Sequence, residues 1–164
     1  MSTLEHTKRL FDENSYIKEF SATVLSCELK SNDTWQVVLD KTAFFPEGGG
    51  QSGDTGMLDE ASVTDTKEQA GVIYHETTAP FEKGQVVKGK LNFAERFDKM
   101  QQHTGEHILS GIVCGTYGYH NVGFHLGEEL TTLDFDGELS SEQVEDLELK
   151  ANEIIYENLP VQVL

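Results

Sequence analysis

"AERFDKMQQHTGEHILSGIVCGTYG", Ala94 to Gly118, is where the chain changes its period. Phe97, Thr104, Ile108 and Ile112 recur at helical spacing and Gly115 and Gly118 supply a stop, so the stretch reads as one long helix. Everything before it reads as strands. "FSATVLSCEL" (20–29) and "TWQVVLD" (34–40) are β-branched runs split by "KSNDT", a hairpin signal. "GVIYHET" (71–77) and "QVVKGKLN" (85–92) are two more, joined by the Pro- and Gly-bearing "TAPFEKG". "FFPEGGGQSGDTG" (44–56) has six Gly or Pro among thirteen residues and reads as a structured loop or a set of tight turns. Five or six short strands with no helix between them predict a small antiparallel β-barrel over residues 1–92.

Beyond the helix, "VGFHLG" (122–127) and "LTTLDFDG" (130–137) read as a hairpin turning around Gly127, Glu128 and Glu129. Ser140 or Ser141 caps a second helix, "SEQVEDLELKANEIIYEN", with Val144, Leu147, Ala151, Ile154 and Ile155 facing inward. A last strand, "VQVL" (161–164), follows Pro160. The fold class is α+β: a small antiparallel barrel, then part of a two-layer α+β domain over residues 93–164.

The composition, 37% hydrophobic and 25% charged, is that of a globular chain rather than a disordered one. No apolar run approaches the roughly 20 residues of a membrane helix, and the first 25 residues lack a signal-peptide core, so the expected location is the cytoplasm. Cys27 and Cys114 stand in unrelated contexts and are expected as reduced thiols. The net charge of −17 is uneven: residues 1–99 carry 11 basic and 17 acidic side chains, residues 100–164 carry 1 and 12. The second half repels a polyanion, which counts against a nucleic-acid function exercised by this chain alone.

On a helical wheel His103 and His107 lie about 40° apart, one turn along, so both imidazoles can converge on one ion, as zinc-binding helices require. Ser110 and Cys114 continue that face, whereas Phe97, Ile108 and Ile112 lie well round from it, so the histidines border the core face. Gly105 costs helix stability and suggests close approach of backbone or ligand. Two histidines do not complete a zinc site; Cys114 lies about 10 Å further along the axis, and His120 and His125 are candidates that fold back. "HTGEH" also satisfies the H-x-x-E-H signature of a zinc metalloprotease, for which Glu145, Glu148 or Glu153 would be the third ligand.

A second pattern uses more of the chain. Phe45, Gly49, Gly50, Gln51, Gly53, Asp54 and Gly56 match F-x-x-x-G-G-Q-x-G-D-x-G, and His103 and His107 follow at a fitting distance. Together they resemble the alanyl-tRNA editing proteins, free-standing relatives of the editing region of alanyl-tRNA synthetase. The opening "LFDENSYIKEFSATVL" and the segment "SSEQVEDLELKANEIIYENLPV" look like further parts of that family, so the resemblance covers nearly the whole chain. It implies a β-barrel followed by a zinc-binding editing domain that hydrolyses the ester between a wrong amino acid, serine or glycine, and tRNA for alanine. It further implies His103 and His107 as zinc ligands.

Glu106 is then a candidate catalytic base or a partner of a histidine, with a solvated glutamate the plain alternative. Gly49, Gly50 and Gln51 are candidates for substrate or tRNA contact, against the alternative that the glycines only make turns. Lys88, Lys90, Arg96 and Lys99, with Lys83, form the one basic cluster and are the candidate phosphate contacts. The family's downstream C-x-x-x-H is absent here, so two further zinc ligands are expected beyond Leu164, and the chain is expected to be an N-terminal fragment that binds zinc weakly and deacylates poorly. The start at Met1 favours a free-standing editor over a region of alanyl-tRNA synthetase. Besides the metalloprotease, the remaining alternative is a non-catalytic tRNA- or protein-binding module.

Overall fold

Strand β2, Glu19–Ser31, is the longest in the computed structural model, which describes residues 6–31, 33–127 and 130–161. Its first half pairs antiparallel with β8 (Val86–Leu91) and its second half with β3 (Thr34–Leu39). Register breaks between Val24 and Ser26 and between Leu29 and Ser31 bend it, which is how one strand serves two neighbours. With β5 (Gly56–Leu58), β6 (Ala61–Gln69) and β7 (Val72–Thr77) the order is β2-β3-β7-β6-β5-β8, closed on itself as a barrel. Closure leaves none of these strands with an unpaired edge. Alternate residues point inward, and Val24, Val37, Leu39, Phe44, Leu58 and Val87 make up much of the core.

The chain divides into two compact units, Met1–Phe97 and Asp98–Leu164. In the first, β1 (Lys8–Arg9) and β4 (Lys41–Thr42) form a short parallel ribbon, and one turn of helix, α1 (Leu10–Glu13), buries Phe11 against Phe45 with ring centroids 5.2 Å apart. The strands at 71–77 and 85–92 are not partners: β7 lies between β3 and β6, and β8 between β5 and β2. Between them stand β5 and β6, which the sequence hides. "ASVTDTKEQ" is mostly polar, and only Ala61, Val63 and Thr66 are buried.

Helix α2, Phe93–Tyr117, is one continuous element. Gly118 follows it at φ 72°, and its N–H donates to the Cys114 carbonyl at 3.0 Å, a left-handed helix stop. The inward face differs from the sequence expectation. Ile108 and Ile112 are half-buried, as are His103, Ser110 and Tyr117, but the fully buried residues are Arg96, Lys99, Glu106 and Val113, and Phe97 and Thr104 are exposed. The second unit adds the antiparallel hairpin β9 (Asn121–Leu126) and β10 (Thr131–Phe135), then α3 (Ser141–Glu157). Ser140 is the N-cap: its hydroxyl accepts from the Gln143 N–H while the Gln143 side chain accepts from the Ser140 N–H. Leu147 and Ala151 are buried on α3, but Val144 and Ile155 are 49% and 57% exposed, because the apolar stripe is wider than the surface that covers it. The turn residues Glu128 and Glu129, and the strand expected at 161–164 beyond Val161, lie outside the described residues.

His75, fully buried on β7, closes a polar chain inside the barrel. The Phe44 N–H donates to Thr42 Oγ1 (3.1 Å), Thr42 Oγ1 meets His75 Nε2 (2.8 Å), and His75 Nδ1 meets the Val37 carbonyl (3.1 Å). A carbonyl only accepts, so Nδ1 carries the proton and Nε2 accepts from the threonine. Burial pushes the pKa of His75 down to about 4 against a small opposing contribution from the Val37 carbonyl. The neutral form is therefore the folded form, and the unfolded chain takes up the proton first as pH falls. We expect His75 to withdraw about 3 kcal/mol of stability between pH 6.5 and pH 4. Urea unfolding of the wild type and of His75→Gln should show the wild type's advantage shrinking by that amount over this window.

Candidate metal centre

One turn of α2 separates His103 from His107, and their rings stack with centroids 5.1 Å apart and planes 11° from parallel. Ligand atoms of His103, Glu106 and His107 all lie within 4.8 Å of one another, the one such group among the described residues. Two imidazoles and a carboxylate suit zinc, which takes nitrogen and oxygen donors at about 2.0–2.2 Å. The set thus fits a zinc site in chemistry and supplies at most three of its ligands. Burial is the first cause holding the His103 pKa below the ordinary value, the charge of His107 the second, with Glu106 opposing. His103 is therefore neutral at pH 7, as a ligand must be.

The hairpin packs against His103 and Glu106. Phe124 of β9 lies 5.3 Å, centroid to centroid, from the His103 ring. Asn121, the first residue of β9, donates from Nδ2 to Glu106 Oε1 at 2.8 Å and to Ser110 Oγ at 3.0 Å. The Ser110 hydroxyl donates to the same Glu106 oxygen at 2.5 Å. Glu106 Oε2 stands 3.4 Å from Nδ1 of His107, whose side chain is 74% exposed. Glu106 is thus a buried carboxylate with one oxygen doubly hydrogen-bonded, and not the solvated one. Sequence reading placed Ser110 on this face without giving it a role and passed over Asn121. The Glu-to-Ser spacing of four was a readable signal; nothing local marks Asn121.

Other expectations fail at this helix. An added Cβ at Gly105 would meet no atom of this chain within 4 Å beyond its own helix backbone, so no close approach of another segment explains the glycine. Cys114 is exposed. His120 pairs with Asp136 instead, Nδ1 to Oδ2 at 3.4 Å, and the His120 backbone N–H is the first cause of the lowered Asp136 pKa. His125 is exposed on β9, and neither it nor Glu145, Glu148 or Glu153 joins the three-residue group. The protease reading therefore has no third ligand among the described residues.

The glycine loop belongs to the first unit. Gly48 and Gln51 exchange backbone hydrogen bonds at 3.0 and 3.1 Å, and Gly49 and Gly50 between them have φ of 59° and 80°. This tight turn needs two left-handed residues in a row, which glycine alone adopts freely. Gly49 and Gly50 are exposed and Gln51 is buried. A Cβ at Gly53 would sit 2.2 Å from the Thr66 carbonyl oxygen, so the loop lies directly on β6. Asp54 then takes three contacts at once: its Oδ2 accepts from the Phe45 N–H and from Arg96, and its carbonyl accepts from Thr66 Oγ1. Arg96, 4% exposed, also lies over the Phe45 ring.

The basic cluster is accordingly split. Arg96 and Lys99 are buried and offer no surface to a phosphate, whereas Lys88 and Lys90 are exposed on β8 and Lys83 in the loop before it. Lys90 faces Glu19 across 3.7 Å.

The sequence pattern of the tRNA synthetases class II (A) matches residues 4–95. The alanyl-tRNA editing protein AlaX-L of Pyrococcus horikoshii is 36% identical over 163 residues, 95% of this chain and 40% of that protein. The alanine–tRNA ligase of Pyrococcus furiosus is 37% identical over 169 residues, 97% of this chain and 18% of the ligase. An alanyl-tRNA editing protein of Bos taurus is 34% identical over 163 residues, 92% of this chain and 37% of its own length. The chain thus spans about two-fifths of the editing proteins it matches and under a fifth of the ligase.

Removing Arg96 would leave the Asp54 carboxylate buried without its guanidinium. Arg96→Ala is expected to cost about 3–5 kcal/mol in urea unfolding. Lys90→Ala, at an exposed pair, is expected to cost less than about 0.5 kcal/mol.

Proposed function

This chain belongs to the class II (A) tRNA synthetase family and, within it, to the group of alanyl-tRNA editing proteins and alanine–tRNA ligases; from that premise we propose that it takes part in hydrolysing the ester between a wrong amino acid and tRNA for alanine. The wrong amino acids are serine and glycine. A site built to accept a small residue cannot exclude a still smaller one strongly by size, and it rejects an isostere bearing one extra hydroxyl only weakly, so a second, hydrolytic sieve is needed. The observation that carries this reading is the parallel pair of imidazoles on α2 with a carboxylate beside them.

Zinc, held by His103 and His107, would polarise a water or the ester carbonyl, or orient the aminoacyl group. Phe124 packs against one ligand and Glu106 stands beside the other, so the hairpin and helix together restrict both rings. With two imidazoles as donors and the carboxylate beside them already hydrogen-bonded, zinc held by these residues alone is weakly bound. The free-standing editor and the ligase region share this chemistry, and both kinds of relative match equally well here.

The reading is tested by following release of serine and of alanine from charged tRNA for alanine. Serine should be released in preference to alanine, and His103→Ala or removal of zinc by a chelator should abolish the release. Undiminished release by His103→Ala would sink the metal argument. Lys83, Lys88 and Lys90 are the proposed phosphate contacts, and with so few of them the slope of log K against log salt should be no steeper than about −3. Lys88→Ala should flatten it by about 1, whereas Arg96, being buried, contributes nothing to it.

A further inference from the structure

The notable residue at the helix is the glutamate between the histidines, because its two oxygens have different duties. Oε1 is saturated by the Ser110 hydroxyl and the Asn121 amide, at 2.5 and 2.8 Å. Oε2 is left facing His107 Nδ1 at 3.4 Å. The side chain is only 8% exposed, and two donors already occupy Oε1. Asn121 in turn is fixed at its other end, where Oδ1 accepts from the Gly123 N–H at 2.9 Å. The carboxylate is therefore aimed by β9 and by its own helix, while the imidazole it faces is 74% exposed and stacked on the His103 ring.

We propose that Glu106 is a positioning residue, neither the catalytic base nor a metal ligand: it holds the His107 ring with the proton on Nδ1 and so leaves the Nε2 lone pair for the ion. The inference rests on His107 being a ligand, as proposed above. Its physical basis is that a neutral imidazole has one donor and one acceptor nitrogen, and an acceptor-only carboxylate beside Nδ1 selects the Nδ1–H form. Ligating histidines are commonly fixed in this way, and loss of the fixing partner weakens metal binding by about 10- to 100-fold.

Two measurements on the ¹⁵N-labelled chain test it. In metal-free protein at pH 8, two-bond ¹⁵N–¹H spectra should show His107 as the Nδ1–H tautomer. Glu106→Gln keeps a carbonyl oxygen for Ser110 and Asn121, and so turns an NH2 toward Nδ1; His107 should switch to Nε2–H while His103 keeps its tautomer. Zinc affinity, read by competition with a chromogenic chelator, should fall by about 10- to 100-fold. Glu106→Ala should give the same switch, and covers the case in which the glutamine variant misfolds. An Nε2–H His107 in the wild type overturns the proposal, and so does a loss of zinc in Glu106→Gln without a tautomer change, since that marks a direct ligand. If neither protein binds zinc, the metal reading fails while the tautomers still decide what Glu106 does.

Discussion

The buried ion pair between Asp54 and Arg96 is the contact on which the first unit depends. A carboxylate 1% exposed and a guanidinium 4% exposed are costly to desolvate, and each is tolerable because the other is there. From this pair the geometry spreads outward. Asp54 fixes the Phe45 backbone, its own carbonyl fixes Thr66 on β6, and Arg96 covers the Phe45 ring, which packs on Phe11. Within the 44–56 loop the backbone pairs at the Gly48–Gln51 bridge and where the Asp54 N–H donates to the Phe45 carbonyl at 2.9 Å. It is ordered because a charge pair clamps its far end to the first turns of α2.

This gives the glycine motif a physical meaning apart from any ligand. Gly49 and Gly50 reverse the chain, Gly53 lets it lie against β6, and Asp54 then points inward at Arg96. Gln51 is buried, and the tip at Gly49 and Gly50 is the exposed part of the motif. Motif residues can thus be required by folding and by chemistry at once.

How much was legible follows from where the signal lies. The hairpin of β2 and β3, the long helix, the β9–β10 hairpin and the Ser140 cap announce themselves through local pattern, because each is made by neighbours in sequence. β5 and β6 were not legible. They are short or polar strands that owe their existence to partners on either side in the closed ring, a non-local cause that leaves no periodicity. The histidine pair was readable from spacing, and Glu106 as a candidate from adjacency. Its burial was not, since that comes from Asn121, fifteen residues on and brought back by the turn after α2.

The reversed face of α2 has the same origin and says more. Hydrophobic periodicity put Phe97, Thr104, Ile108 and Ile112 inside; Ile108 and Ile112 are half-buried, but Phe97 and Thr104 are exposed, and the fully buried residues are Arg96, Lys99, Glu106 and Val113. A helix that covers charged and imidazole groups while leaving Phe97 38% exposed breaks the usual partition of side chains. Such a conflict between local pattern and observed burial costs stability, so it persists where the polar line has another duty. On the Glu106 side that duty is visible in the hydrogen bonds: every donor given to Oε1 leaves Oε2 more firmly directed at a histidine. Under the proposed metal reading, that polar line is the back of the site and the exposed ring of His107 its front.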